Sequence, residues 1–346
     1  MHAAAGPPQE RITDVFGRPI EDLRISLTDR CNLRCTYCMP REMFGPDHAF
    51  LDRRELLTFE EIVRLVGVFA RLGVTKIRLT GGEPLLRTDL PRLVAGVVAV
   101  EGIDDVALTT NGMLLPGLAD DLYATGLHRL TVSLDAIDDA TFRQTADTRQ
   151  SIDTVFAGIA AAQEAGFTNI KVNTVLQRGV NDHQIEELAG WARDARVTIR
   201  FIEFMDVGTT NGWLRERVVP AQEVVDRIHA RWAIEPVADG AGKLGAVAER
   251  YRYLDGAGEA GVVASVTRPF CRTCTRARLS AIGELFTCLF AATGHDLRAP
   301  LRDGEDDASL QERIANIWSH RRDRASELRS EDGLSGPRVE MSYIGG

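Results

Sequence analysis

At 346 residues, 44% apolar and 26% charged, the sequence has the make-up of a soluble globular protein, with room for one α/β barrel and a smaller appended unit. No run approaches the roughly 18 apolar residues a membrane helix needs, and a formal charge of −9 argues against a general nucleic-acid coat, which needs a basic surface that releases counterions. Neither a membrane nor a nucleic acid is therefore expected as a partner. Met1 to Glu10 lacks the basic start and apolar core of a secretory leader, so residues 1–12 read as a flexible extension of a cytoplasmic protein.

In chain order, apolar strand-like runs alternate with amphipathic helices. Leu23 to Leu27 is the first strand, and Cys31, Cys35 and Cys38 follow it in a C-x3-C-x2-C loop. A helix starts at Thr58, with Glu61 three residues on completing a capping box, and stops at Gly73. Lys76 to Thr80 is strand two, followed by Gly81-Gly82-Glu83-Pro84 and a helix near Thr88. Val106 to Thr109 leads into Thr110-Asn111-Gly112 and a helix near Gly117; Arg129 to Leu134 precedes a helix near Ser151. Ile170 to Leu176 precedes one near Asp182, and Thr198 to Phe204 leads through Met205-Asp206 to one near Ala221. Six such units predict a parallel sheet with helices outside. They are two short of a closed eight-stranded barrel, so residues 13–235 read as an open, partial (β/α)6 TIM-type barrel, with a doubly wound sheet as the alternative. Chemistry in barrels gathers on the loops after the strands, and the cysteine loop, the Gly-Gly-Glu-Pro turn, Thr110 to Gly112 and Met205-Asp206 all occupy such loops.

Strand periodicity adds a charge inference. Lys76, Arg78 and Thr80 share one face of strand two, Ile77 and Leu79 the other. With helices covering the apolar face, the cations turn inward, and Arg24 and Lys171 have the same phase. Lysine is scarce here: Lys76, Lys171 and Lys243 are the only three among 41 basic residues, a mild hint of chemical need. Buried cations need counter-charge. A polyanionic ligand would supply it, and so would structural ion pairs with residues such as Glu203 or Asp135.

From Val207 the rhythm breaks down. Gly-rich turns at Asp239 to Ala246 and Asp255 to Gly261 mark a smaller region, 236–346, that carries Cys271, Cys274 and Cys288. All six cysteines thus fall into two triplets. Disulfides suit neither the chain's size nor its setting, and a zinc site takes four ligands where each triplet offers three. Three thiolates suit a four-iron cubane with one iron left open for a ligand; for the second triplet alone, a zinc knuckle is nearly as good a reading. Arg268, Arg272, Arg276 and Arg278 surround that triplet with no acidic residue between them, suiting either a phosphate chain or a solvated basic loop. The Gly345-Gly346 end reads by itself as frayed.

The run Cys31-Asn32-Leu33-Arg34-Cys35-Thr36-Tyr37-Cys38-Met39-Pro40 with Gly-Gly-Glu-Pro resembles the radical S-adenosylmethionine superfamily. Thr109 to Gly112, Val132 to Asp135, Lys171 to Asn173, Arg200 to Asp206, the second triplet with Arg276 and Arg278, and the Gly-Gly end narrow the resemblance to the GTP 3′,8-cyclase family of molybdenum-cofactor biosynthesis, from about residue 12 to residue 346. Residues 145–150 match less clearly. The resemblance implies two [4Fe-4S] clusters, one on Cys31, Cys35 and Cys38 that binds S-adenosylmethionine, the other on Cys271, Cys274 and Cys288 that meets the guanine. It implies that Tyr37, Gly82, Ser133 and Met205 surround the cofactor, that Arg24, Arg78, Thr109, Lys171, Arg276 and Arg278 bind GTP with help from Lys76, and that Gly345 and Gly346 reach the active site. The implied reaction is abstraction of ribose H3′ by a 5′-deoxyadenosyl radical and attack of C3′ on guanine C8. The implied partners are an external one-electron donor such as flavodoxin or ferredoxin and a cyclic pyranopterin monophosphate synthase that takes the product, the chain being a monomer or homodimer. The rivals are a radical enzyme that modifies a peptide and a non-catalytic iron–sulfur or zinc module.

Overall fold

The computed structural model describes residues 11–238, 244–329, 333–334 and 336–345; the N-terminal extension to Glu10, part of the turn at Asp239 to Ala246 with Lys243, and Gly346 lie outside the described residues. Six strands, β1 (Asp22–Ser26), β2 (Lys76–Thr80), β3 (Asp105–Thr110), β4 (Arg129–Ser133), β5 (Ile170–Leu176) and β6 (Thr198–Glu203), run parallel in sequence order. Between them run α1 (Phe59–Arg71), α2 (Leu90–Val98), α3 (Ala119–Ala124), α4 (Asp139–Ala146), α5 (Asp153–Glu164) and α6 (Ile185–Asp194), and α7 (Ala221–Arg231) follows β6. This is the open six-unit barrel the alternation predicts. In α1 the Thr58 hydroxyl accepts from the Glu61 N–H while Glu61 accepts from the Thr58 N–H, fixing the start, and Ile62, Leu65, Val66 and Phe69 bury one stripe on the sheet. Helix α4 is unforeseen. It is short and polar and rests on an Asp138 cap rather than on an apolar stripe.

The C-terminal part extends the sheet at both edges. Strands β7 (Ile234–Pro236), β8 (Glu249–Tyr253) and β9 (Glu259–Val263) continue beyond β6, with β9 parallel to it; β10 (Arg276–Leu279), β11 (Glu284–Phe286) and β12 (His295–Asp296) continue beyond β1, with β10 parallel to it. The turn expected at Asp255 to Gly261 is thus shorter, and its end is strand: Ala260, Val262 and Val263 are buried. A Cβ on Gly261 would lie 3.2 Å from Arg200 Cγ, so glycine leaves room for that side chain. After α8 (Arg298–Arg302), α9 (Asp307–Ser319) packs outside α1, where Asp307 takes both Arg64 and Arg71. Among the described residues no helix is long and apolar enough to cross a membrane.

The strand register stacks charge in rows across the lumen. Arg276, Asp22, Lys76 and Asp105 stand side by side on β10, β1, β2 and β3; the next row is Arg278, Arg24, Arg78, Ala107 and Arg129. Farther round the sheet, Thr109, Thr131 and Lys171 are level, as are Ser133, Asn173 and Arg200. Apolar residues alternate with these and face the helices.

Candidate active site

The first cysteine loop is held by backbone. The Gly82 and Glu83 N–H groups donate to the Thr28 and Arg30 carbonyls at 2.7 and 2.8 Å. A Cβ on Gly82 would lie 2.3 Å from Arg30 O, and one on Gly81, whose φ is +139°, 2.6 Å from Thr28 O; the two loops approach this closely only because both residues are glycine. Buried Glu83 accepts from the Thr110 hydroxyl and from the Asn111 and Leu85 N–H groups. It therefore ties the second loop to the third, and burial raises its carboxyl to about 7 against those hydrogen bonds. Asn111 donates to Asn32 Oδ1 at 2.7 Å, carrying the link into the cysteine loop. Arg34 fastens the loop from inside by donating to Cys31 O, Leu33 O and Phe44 O. Residues 145–150, for which sequence offers no role, brace it from outside: the Arg34 and Thr36 N–H groups donate to Ala146 O and Thr145 O. Tyr37 donates its hydroxyl to Asp135 at 2.7 Å; burial lifts Asp135 to about 6, although hydrogen bonds from Tyr37 and the Val175 N–H favour its ionised form.

The second triplet sits at the other end of the lumen, Cys271 and Cys274 just before β10, which pairs in parallel with β1, and Cys288 just after β11. Burial pushes all three thiols of the first triplet up, Cys31 to about 11, and Cys288 likewise to about 11. Cys274 is the exception. Burial raises it too, but the adjacent Arg276 and Arg321 guanidiniums outweigh that and bring it to about 6. Their nitrogens lie 3.3–3.4 Å from its sulfur.

Both triplets line one cavity of about 570 Å³. Arg24, Lys76, Arg78, Thr109, Arg276 and Arg278 line it, as do Tyr37, Gly82, Ser133 and Met205. Lys171 is half-buried and does not itself line the cavity; burial, then Arg200, Arg129 and Arg78, bring its amine down to about 8. Burial brings Arg24 down to about 9 and Arg78 to about 10, and burial together with neighbouring Arg24 and Arg276 takes Arg278 well below the usual range. The two carboxylates weighed as structural partners are engaged elsewhere. Glu203 accepts from the Ala221, Val266 and Thr267 N–H groups and so anchors the segment leading to the second triplet; Asp135 holds Tyr37. Asp22 and Asp105 supply some counter-charge, and Arg129 pairs with Asp105. Arg268 and Arg272 point away: Arg268 pairs with Glu249, and Arg272 is largely exposed.

Four cavity arginines go unassigned by sequence: Arg200, Arg129, Arg18 and Arg321. Arg200 bonds Asn173 Oδ1 at 2.9 Å and is lowered to about 10 by burial and by Arg129. Strand alternation alone gives the signal for it, since Arg200 and Ile202 share the cavity-facing phase of β6. Arg129 opens β4, where phase is weakly defined.

The donor set fits the clusters the sequence suggests. All six thiols are free and face one cavity. Among the described residues no three Cys, His, Asp or Glu side chains stand close enough to share one metal ion, and a cubane, whose thiolates sit on separate irons, does not ask that of them.

Known proteins agree. The family described as Radical SAM superfamily matches residues 25–192, and Molybdenum Cofactor Synthesis C matches residues 197–327. The chain is 56% identical to the GTP 3′,8-cyclase of Acidothermus cellulolyticus, over 97% of this chain and 99% of that protein. It is 50% identical to the GTP 3′,8-cyclase of Xanthomonas axonopodis pv. citri over 96% and 98%, and 47% identical to that of Staphylococcus saprophyticus over 97% and 99%. Among solved structures, Streptococcus suis SuiB bound to S-adenosylmethionine superposes with a TM-score of 0.60 at 16% identity, covering 86% of this chain and 68% of SuiB. SuiB bound to its precursor peptide SuiA gives 0.63 at 14%, covering 88% and 66%; at such identity the likeness speaks to fold alone. With one cavity walled by two cysteine triplets and a bank of cations, and with near full-length identity to these cyclases, the chain belongs to the GTP 3′,8-cyclase family of radical S-adenosylmethionine enzymes.

Proposed function

We propose that the chain converts GTP to (8S)-3′,8-cyclo-7,8-dihydroguanosine 5′-triphosphate, a lyase step that opens molybdenum-cofactor biosynthesis, with substrate and cofactor sharing the one cavity. Cys31, Cys35 and Cys38 would hold the cluster that, with S-adenosylmethionine, supplies the hydrogen-abstracting radical; Cys271, Cys274 and Cys288 would hold the second. Tyr37, Gly82, Ser133 and Met205 serve the cofactor side. Arg24, Arg78, Thr109, Arg276 and Arg278, with Lys76 and with Lys171 acting through the shared positive field, serve the GTP side. The protein's work is placement. It holds ribose C3′ toward the cofactor and guanine C8 toward C3′, and it walls off water so that a carbon radical meets only its intended partner. Residues 13–235 act as the radical-generating barrel and 236–346 as the substrate-gripping region.

The observation that carries the reading is the cavity itself, with thiols at its two ends and cations between them in excess of the carboxylates. A triphosphate answers that excess, whereas a peptide does not require it. The likeness to SuiB, being one of fold, does not shift the balance toward peptide modification. An electron donor such as flavodoxin or ferredoxin, transfer of product to a cyclic pyranopterin monophosphate synthase, a cytoplasmic location and a monomeric or homodimeric state complete the proposal.

Anaerobic reconstitution tests it. The chain should take up about eight irons, as two four-iron clusters require, and on addition of reductant, S-adenosylmethionine and GTP should yield 5′-deoxyadenosine with the cyclised nucleotide. Changing Cys31, Cys35 or Cys38 to Ala should abolish 5′-deoxyadenosine formation. Full activity with zinc as the only bound metal would end the reading.

A further inference from the structure

Next to the second triplet lies a buried ionic group drawn from the two far ends of the chain. Asp14, Arg18 and Arg321 are 5%, 1% and 4% exposed. Asp14 Oδ2 accepts from Arg18 Nε at 2.6 Å and pairs with Arg321 Nη1 at 3.4 Å, while Asp14 Oδ1 takes the Phe16 and Arg18 N–H groups. The guanidiniums then reach into the cysteine turn. Arg18 Nη1 donates to Cys271 O at 2.7 Å, Arg321 Nη1 to Cys274 O at 2.8 Å, and Arg321 Nη2 to Cys274 Sγ at 3.4 Å.

Two features ask for more than a fold brace. Arg18 Nη2 is buried without a hydrogen-bond partner among the described residues, and Arg321 Nε meets only the Asp323 carboxylate, at 3.4 Å, although both side chains line the cavity; an unmet buried donor is costly and calls for an acceptor. The positive charge is also concentrated at one sulfur. Arg276 and Arg321 both put guanidinium nitrogens within 3.4 Å of Cys274 Sγ, while the carboxylates near Arg18, Arg321 and Arg276 are Asp14, Asp22 and the partly exposed Asp323. An anionic group on three thiolates supplies an acceptor for the unmet donor and a charge for the guanidiniums at Cys274 to face, and the potential of an iron–sulfur cluster is set by nearby charge and by hydrogen bonds to its sulfurs.

We propose that Arg18 and Arg321, tied through Asp14, are positioning residues that hold the Cys271–Cys274 turn and raise the midpoint potential of the cluster bound there. The proposal rests on the reading of the second triplet as a cluster site. A nearby cation favours the reduced, more negative cluster, so losing it lowers the potential.

The experiment uses the full chain with Cys31, Cys35 and Cys38 all changed to Ala, reconstituted anaerobically without GTP. Iron content is measured first, and the cluster is then titrated by electron paramagnetic resonance. Arg18→Met and Arg321→Met are expected to keep their iron and to lower the reduced-to-oxidised ratio at fixed potential at least tenfold, equivalent to about 59 mV for one electron. Arg321→Lys should recover most of that shift. Asp14→Asn removes a buried negative charge and should move the potential the other way. A midpoint unchanged in both Met variants, or shifted in one common direction by all the substitutions including Asp14→Asn, overturns the proposal. If the cysteine-substituted background itself binds no iron, the cluster reading fails, and this inference with it.

Discussion

At the scale of single residues, the bank of cations in the lumen is the feature with the sharpest consequences. Arg78 donates to Thr109 and Thr131 at 2.9 and 3.1 Å, neither of them charged, and burial brings its guanidinium down to about 10. A cation placed so is poised for an anion that arrives from outside. Arg78→Ala should weaken GTP binding by ten- to a hundredfold, since a charge-assisted contact is worth roughly 1.5–3 kcal/mol, while S-adenosylmethionine binding stays near the unmodified value; calorimetric titration of both ligands would show the split. Lys171 adds a pH signature. Its amine, lowered to about 8 by burial and by Arg200, Arg129 and Arg78, is charged below that pH and neutral above it in the free protein. A polyanion that gains from that charge binds more weakly as pH rises through 8. GTP affinity should therefore hold steady up to about pH 8 and fall as pH rises above it, and Lys171→Arg should flatten the fall because an arginine stays charged across the window. GTP affinity unchanged by Arg78→Ala and by Lys171→Ala would return these cations to a purely structural role.

At the scale of elements, the loops after β1, β2 and β3 are one unit because Glu83 and two glycines join them, and this unit has its own pH dependence. The buried Glu83 carboxyl, at about 7 against an ordinary 4.5, binds a proton more tightly in the folded chain than in the unfolded one. Its contribution to stability is fully present below about pH 4.5 and is lost as pH rises to about 7, a change on the order of 3 kcal/mol. Asp135, raised to about 6, acts in the same direction. Denaturant melts of the cluster-free chain across this window should show declining stability, with a shallower slope in Glu83→Gln and a residue of slope left by Asp135; an unaltered slope would show that Glu83 is not the group responsible. The same unit marks what sequence makes legible. The barrel strands announce themselves through alternation, as Lys76–Thr80 does, and the helices through apolar stripes and caps, as at Thr58. Helix α4 and strand β9 do not, because one rests on a polar cap and the other on packing against β6 from about 60 residues away in the chain. For the same reason Arg276 and Arg278 are legible beside their cysteines, whereas Arg18 and Arg321 are not: their roles exist only once residues some 300 apart meet around Asp14.

At the scale of the whole molecule, the end of the chain returns across the mouth of the barrel and is fastened at several points. Asp206, just after β6, accepts from Arg329 Nε and from the Leu334 N–H, both at 2.7 Å. Glu340 takes the Thr209 N–H and the Thr209 and Thr210 hydroxyls, each at 2.9 Å. Beyond these anchors, Arg278 in the cavity wall donates to the Gly345 carbonyl. The backbone there has φ +71°, and a Cβ on Gly345 would lie 2.2 Å from Thr80 Cγ2, so only glycine threads between β2 and β10 at this point. Gly346 lies outside the described residues; Gly345 itself is packed rather than frayed. Because Arg278 is also a proposed GTP ligand, the tail and the substrate share a wall, and a shift of about 1 Å in that wall is enough to spoil hydrogen abstraction. Removing Gly345 and Gly346 should leave both clusters at full iron content and 5′-deoxyadenosine still forming, while the cyclised nucleotide falls away. Gly345→Ala, which keeps the chain length but collides with Thr80, should uncouple the two products in the same direction. Measuring 5′-deoxyadenosine and the cyclised nucleotide side by side separates a positioning role from a folding one: a tail needed for folding takes iron and both products down together, and a tail that does nothing leaves cyclisation at the unmodified rate.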